Sequence, residues 1–351
     1  MDVILEVVDT FLFDRFYATL LPGSTPIVKN NIVKDATSTF SSRREIPTAI
    51  PRSHQLFQLK PSQYAYMSQW DRDNIYRQSV SLYLITWLFG VLVYFVCASL
   101  SYVFVFDHAT FTHPKYLKNQ VRLEIRQTLI SLPIMAILTT PLFLGEVRGL
   151  AKLYDSPADA PFPLYNVLQF PFFICFTDFL IYWIHRGLHH PMVYKTLHKP
   201  HHKWIMPTPY ASHAFHPLDG FAQGIPYHLY PYLFPLQKYA YIALFIFINF
   251  WTVFIHDGEY VANSPIINGA ACHTMHHLYF NYNYGQFTTL SDRLFGSYRQ
   301  PNDELFSRES KMSKAEWERQ TKEMETVLKE VEGDDDRNYE DESRRVGKKM
   351  L

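Results

Sequence analysis

The chain is poor in cysteine. Cys97, Cys175 and Cys272 are the three among 351 residues. None stands in a CxxC spacing, and Cys97 and Cys175 lie inside apolar runs. That excludes a disulfide framework and a thiolate zinc site. Net charge is also lacking: 33 Lys plus Arg balance 33 Asp plus Glu, so the global charge gives no sign of a nucleic-acid partner. The first residues lack the basic start of a secretory signal, because Asp2 and Glu6 stand there. Residues 1–22 read instead as an uncleaved amphipathic segment lying on a surface. There is no internal repeat, and no low-complexity tract longer than a few residues.

What the chain has in quantity is aromatic and aliphatic residues in long runs. Phe, Trp and Tyr make up 17% of it, concentrated in an apolar middle between a polar start and a polar end. Residues 81–106 carry no charge, longer than the ~20 residues an apolar helix needs to cross a bilayer. A second run, 128–145, is shorter and contains Pro133 and Pro141, which predicts a kinked or shallow element. A third, 164–184, is interrupted only by Asp178. A fourth, 221–255, breaks near Pro235, Gln237 and Lys238, which predicts two half-length helices in a hairpin that returns the chain to the face it left. The weak second run leaves the side of the N-terminus open. The expected fold is all-α and integral to the membrane, with transmembrane helices and a cytosolic helical cap. Its divisions are a polar and amphipathic region 1–80, a membrane-embedded catalytic domain 81–300 and a charged tail 301–351. Within the tail, 314–332 reads as a soluble helix with Glu and Lys at helical spacings, ended by Gly333.

Histidine is the second abundance. Sixteen occur, and three tight groups stand out: His185 and His189 in HRGLH, followed by His190; His198, His201 and His202 in HKPHH; His273, His276 and His277 in HTMHH. Positions i, i+3 and i+4 share a helix face, so HxxxH sets two imidazoles side by side, and HxxHH fans its last two apart and can serve two metals at once. Eight imidazoles, leaving His190 aside, are too many for one tetrahedral zinc. No HExxH zinc-protease motif is present, nor the ExxH pairs of carboxylate di-iron bundles. The remaining solution is an all-histidine dinuclear site beside a membrane. His256, ending an apolar run before Asp257, joins the expected ligands. His213 and His216 are possible additional ones. His228 is a weaker candidate, and His54, His108 and His113 are set aside. Asp178 lies seven residues before His185, on the same helix face. An ionisable group in an apolar span is a functional suspect; it is expected either to orient His185 or His189 or to pair with a neighbouring helix.

The residues around these groups resemble a known family. The three histidine groups are similar to the histidine boxes of the fatty acid hydroxylase and sterol desaturase superfamily. The flanks HKPHHKW (198–204), TPYASHAFHPLDG (208–220), HTMHHLYFNYNYGQF (273–287), SYVFVFD (101–107), HPKYLKN (113–119) and NFWTVFIHDG (249–258) resemble the fungal sterol C-5 desaturases. The resemblance covers most of the chain from about residue 80, and the first twenty or so residues. It implies removal of two hydrogens from a delta-7 sterol to give the 5,7-diene of ergosterol synthesis. It further implies dioxygen, two non-haem iron ions, and electrons passed from an NAD(P)H-dependent reductase through cytochrome b5. The chain has FHPLD at 215–219 where a fused cytochrome b5 would show a haem-binding His-Pro-Gly-Gly, so the electron donor is expected to be a separate protein. An unactivated C–H bond demands a redox metal, which favours iron; zinc has no redox chemistry, though it can occupy such a site. Thr208, between the second histidine group and His213, is a candidate for lining the substrate or oxygen path, or else a loop hydroxyl satisfying backbone groups. A sterol C-4 methyl oxidase or lipid hydroxylase on the same scaffold is the alternative within the class. A histidine-rich metal transporter is the alternative outside it, disfavoured because the clusters sit outside the apolar runs. The last four residues, Lys348-Lys349-Met350-Leu351, match a dilysine retrieval signal read by cytosolic coat proteins. They imply a multi-pass protein of the endoplasmic reticulum with its site and C-terminus in the cytosol.

Overall fold

The computed structural model describes residues 1–23, 59–261 and 263–339; His54 and the terminal dilysine lie outside them. Helices α1 (Asp2–Val8) and α2 (Asp14–Leu20) are joined by a π-helical turn. Then come α3 (Ile75–Phe104), α4 (Gln120–Val147), α5 (Tyr165–Leu188), α6 (Pro191–Val193), α7 (Lys199–His202), α8 (Pro217–Leu233), α9 (Lys238–Phe254), α10 (Ala270–Tyr279), α11 (Leu290–Leu294), α12 (Arg308–Lys311) and α13 (Lys314–Val331). Among the described residues the sheet is a single parallel pair of two-residue strands, β1 (Leu153–Tyr154) and β2 (Leu236–Gln237).

Among the described residues, three helices are long and apolar enough to cross a membrane: α3, α4 and α5. Leu88, Leu92, Val96, Leu100 and Val103 are exposed along α3. An exposed row of that kind suits lipid, where a helix satisfies its own backbone. The second span differs from the sequence reading. It begins at Gln120 and runs unbroken through Pro133 and Pro141 to Val147. Charge at its start does not end it, because Glu124 is buried and accepts from Gln120 Nε2 at 2.8 Å, from the Thr208 backbone N–H at 3.3 Å, and from the Thr208 hydroxyl. The expected hairpin exists as α8 and α9, which turn over at 234–237.

By its contacts the chain divides into two compact units. The first comprises Met1–Thr86, Thr139–Asn166 and Pro231–Tyr239. Here the N-terminal segment is helical with its charges inward. Asp9 and Asp14 are buried against Arg77, at 2.9 and 2.7 Å, while Phe11, Leu12 and Leu20 point outward. The second comprises Trp87–Leu138, Val167–Tyr230 and Ala240–Leu351. Its core joins Tyr194, Ile205, Met275, Leu278, Tyr279 and Phe280 to Met324 and Leu328 of α13. Buried apolar groups at about 1.5–3 kcal/mol each thus fix α13 and α10 in the same cluster. All of the histidine groups lie in this unit.

Candidate metal centre

Helix α5 carries His185 and His189 one turn apart at its C-terminal end. Past Pro191 the chain makes a π-helical turn, Tyr194–His198, and enters α7 with His201 and His202. Helix α10, buried along its whole length, carries His273, His276 and His277. His256 follows the end of α9. These elements bring nine imidazoles together in two groups. One is His185, His189, His198, His202 and His276; the other is His201, His256, His273 and His277. Within each group the ligand atoms lie within 4.8 Å of one another, and all nine residues are buried. The HxxHH pattern is divided as its geometry allows. His198 and His202 go to the first group and His201 to the second; His273 and His277 go to the second and His276 to the first.

The ring nitrogens meet at Nε2. His185 and His198 are 3.1 Å apart, His189 and His202 3.2 Å, and His202 and His276 3.0 Å. In the second group His256 and His273 are 3.0 Å apart, His273 and His277 3.2 Å, and His201 and His256 3.5 Å. The Nδ1 partners define what these contacts are. His185 Nδ1 donates to Tyr284 O at 2.9 Å, His276 Nδ1 to Tyr282 O at 2.7 Å, His256 Nδ1 to Thr252 O at 2.6 Å and His198 Nδ1 to the Asp219 carboxylate at 2.8 Å. A neutral imidazole has one N–H. With that hydrogen on Nδ1, the Nε2 atoms of His185 and His198 present two lone pairs to each other at 3.1 Å, a repulsive contact until a cation shares them. With metal–nitrogen bonds of about 2.1 Å, imidazoles at a right angle around one ion stand about 3.0 Å apart, against about 3.4 Å at a tetrahedral angle. Three of the six separations match the first figure, two lie midway and one matches the second. Both groups can hold a metal ion, and five donors exceed what a tetrahedral site accepts.

Burial keeps most of these rings neutral. It drives the pKa of His189, His201, His202, His273, His276 and His277 well below the ordinary value, with neighbouring histidines adding to the effect. For His256 burial lowers it to about 4. Lone pairs therefore stay available at neutral pH, as metal ligation requires.

The loop after α10 supplies two of the acceptor carbonyls, and buried carboxylates hold it. Asp178 accepts from the Gln286 and Phe287 backbone N–H groups at 2.9 and 2.7 Å and from the Thr288 hydroxyl at 2.5 Å. Asp292 accepts from the Tyr284 and Gly285 N–H groups at 2.9 and 2.8 Å. A Cβ on Gly285 would meet Thr288 O at 2.3 Å, so the turn excludes a side chain there. Phe280, at φ 61, stacks on His202 with ring centroids 5.0 Å apart. The Asp178 reading is thereby corrected: its recorded hydrogen bonds go to this loop rather than to a His185 or His189 ring. Asp219 is the carboxylate that bonds a ligand ring. It lies in TPYASHAFHPLDG (208–220), 21 residues from His198, where no helical spacing links the two.

The other candidates fall outside both groups. His213 is half-buried, with Nδ1 3.0 Å from Ser212 Oγ and its ring against Tyr94. His216 Nδ1 accepts from Leu218 N at the start of α8. His228 lies 3.2 Å from the Tyr241 hydroxyl. His190 caps α6 and His113 accepts from Lys115 N; His108 packs among Tyr102, Phe106 and Phe111. Thr208 is fully buried; its hydroxyl donates to Glu124 and accepts from Tyr210 N at 3.3 Å, tying α4 to the segment after the second histidine group.

Comparison with known proteins agrees with this site. The fatty acid hydroxylase model matches residues 170–297, which contain all nine histidines. The chain is 64% identical over 344 residues to the Delta(7)-sterol 5(6)-desaturase erg3A of Aspergillus fumigatus, with 97% of each chain covered. To the Delta(7)-sterol 5(6)-desaturase of Leptosphaeria maculans it is 62% identical, over 99% of this chain and 100% of the other. To the Delta(7)-sterol 5(6)-desaturase ERG3 of Candida albicans it is 47% identical, with 97% and 99% covered. No solved structure matches. The chain belongs to the Delta(7)-sterol 5(6)-desaturase family of fungi and carries that family's fatty acid hydroxylase domain.

Proposed function

We propose that this protein introduces the C-5(6) double bond into a delta-7 sterol, as a non-haem di-iron oxidoreductase of the endoplasmic reticulum. The observation that carries the reading is the pair of histidine groups with converging lone pairs, in a chain 64% identical along 97% of its length to a protein named for that reaction. Overall, one sterol, one dioxygen, two electrons and two protons give the diene and two waters. The electrons come from NAD(P)H through a separate cytochrome b5.

The five-histidine group would hold one iron and the four-histidine group the other. When bound, iron supplies with dioxygen an oxidant strong enough for an unactivated ring C–H, which zinc cannot do. The chain's own residues do the rest. Asp219, Tyr284 O, Tyr282 O and Thr252 O fix the Nδ1–H tautomer of four ligands and aim their Nε2 atoms inward. Burial of the nine rings limits bulk water, which protects the substrate radical and strengthens every local electrostatic interaction. The three spans fit a substrate that arrives from lipid, since a sterol reaches such a site without crossing water.

Cells lacking the protein are expected to accumulate sterols with a delta-7 bond and no delta-5 bond, read by the missing ultraviolet absorption of the conjugated diene. Accumulation of 4-methyl sterols would assign the C-4 oxidation instead. Topology has its own test. With no further span after α10 among the described residues, a cytosolic site puts the tail in the cytosol, where protease should remove it from sealed vesicles. Changing Lys348 and Lys349 to Ser should release the protein from retrieval.

A further inference from the structure

The charged tail is not a free appendage. After α13 the chain turns at Gly333, φ 87, and doubles back along the second histidine group. Arg337, whose side chain is 2% exposed, donates through Nη2 to His202 O at 3.0 Å and through Nε to Lys203 O at 3.3 Å. Those carbonyls are at the C-terminal end of α7, where a cation also favours the helix dipole. The same guanidinium forms a two-pronged pair with the fully buried Glu332 carboxylate, at 2.8 and 2.9 Å. Glu332 additionally accepts from the Tyr194 hydroxyl at 2.8 Å and pairs with Lys199 at 3.3 Å. The Tyr194 ring lies 5.4 Å from the His189 ring and 5.9 Å from that of His202. Beyond Arg337, Asn338 O accepts from Lys118 N at 3.2 Å, and Tyr339 packs against Leu117 and Trp204.

We infer that Glu332 and Arg337 are positioning residues for the five-histidine group: through Tyr194 and the backbone of His202 they set where two of its rings stand. A surface salt bridge would contribute little. This one is buried, four donors converge on one carboxylate, and its other arm ends on a ligand's own carbonyl. The recorded contacts reach His202 and, through Tyr194, His189, both in the five-histidine group. Loss should therefore be selective for one ion.

The inference rests on the two-metal reading, and the experiment separates the two. The full-length protein in detergent is stripped, reloaded with cobalt(II), and challenged with chelator while metal content and the visible cobalt spectrum are followed. Wild type retaining fewer than two ions would refute the two-metal reading itself. With two ions in wild type, Arg337→Lys, which keeps the charge but loses the planar fork, and Glu332→Gln should each release one ion about 10–100-fold faster and leave the other unchanged. Arg337→Ala should retain close to one. Arg319→Ala, which removes an exposed pair on α13, should match wild type. Equal release of both ions by wild type and Arg337→Lys would overturn the inference. So would joint loss of both ions with loss of helical signal, since that is the signature of a merely structural clamp.

Discussion

Asp219 is the sharpest test of how the ligands are held. Its carboxylate is completely buried, accepts from His198 Nδ1 at 2.8 Å, and is itself held by Gln223 Nε2 at 2.7 Å. Replacing it with Asn leaves an acceptor for the imidazole but removes the charge. A charge-assisted bond of about 1.5–3 kcal/mol becomes a neutral one of about 1 kcal/mol, so metal affinity at the five-histidine group should fall by about 0.5–2 kcal/mol, roughly 2–30-fold. Asp219→Ala is worse, because it strands the His198 N–H and the Gln223 amide in a dry interior. That should cost about 2–4 kcal/mol, roughly 30- to 1,000-fold in affinity. The assay is metal content after dialysis against graded chelator, alongside diene formation by purified protein with its reductase and cytochrome b5. The order wild type, Asn, Ala is expected in both readouts, with helical content unchanged. If Asp219→Ala keeps wild-type metal affinity, the hydrogen bond does not govern ligand position and the tautomer reasoning fails for His198.

Substituting Ala for any one of the nine grouped histidines should abolish diene formation while the protein stays in the membrane, whereas His216→Ala should keep both metals; metal analysis and activity on the same preparations would check this. Asp178→Ala should act differently from Asp219→Ala: three hydrogen bonds to the 286–288 loop are lost, lowering stability by about 2–4 kcal/mol, visible as a lower Tm. His213 carries a pH signature. Burial lowers its pKa to about 4, below the unfolded value of about 6.5. Its contribution is complete above pH 6.5 and is lost as pH falls toward 4, to about 3 kcal/mol in all. His213→Asn should flatten the stability profile in that window, and an unchanged profile would reject its burial as a neutral ring.

Much of this was legible because hydrophobic length and histidine spacing are local signals. Residues 81–106 gave the first span nearly in place, and the breaks at Pro235 and Lys238 gave the hairpin. HxxHH gave the sharing of one motif between two histidine groups, since i, i+3 and i+4 are properties of one helix. The misses are non-local. The second run reads as starting at residue 128, and the helix's earlier start at Gln120 rests on buried Glu124 and its partner Thr208, 84 residues away. Asp178 pointed along its own helix toward His185, yet its recorded partners are more than a hundred residues downstream. The first residues read as an amphipathic surface segment, and no local signal pairs Asp9 and Asp14 with Arg77, more than sixty positions on. Nothing in the tail's composition distinguishes a buried Arg337 from an exposed one.

The division of ligands between the groups also sets an order in time. Four of the five histidines in the first group fall within residues 185–202, and the last, His276, follows His202 by 74 positions. Of the second group, only His201 has been made at that point; His256 comes 55 residues later and His273 a further 17. At roughly 5–20 residues per second on the ribosome, the nascent chain carries four imidazoles of one site for about 4–15 s before the fifth exists. Four ligands of the first group meet through short loops of low entropic cost, whereas the second group has to close a loop of 55 residues before its second ligand joins. The chain thus offers one ion a nearly finished site while the other has a single ligand. Which metal is abundant in those seconds bears on what the finished protein contains.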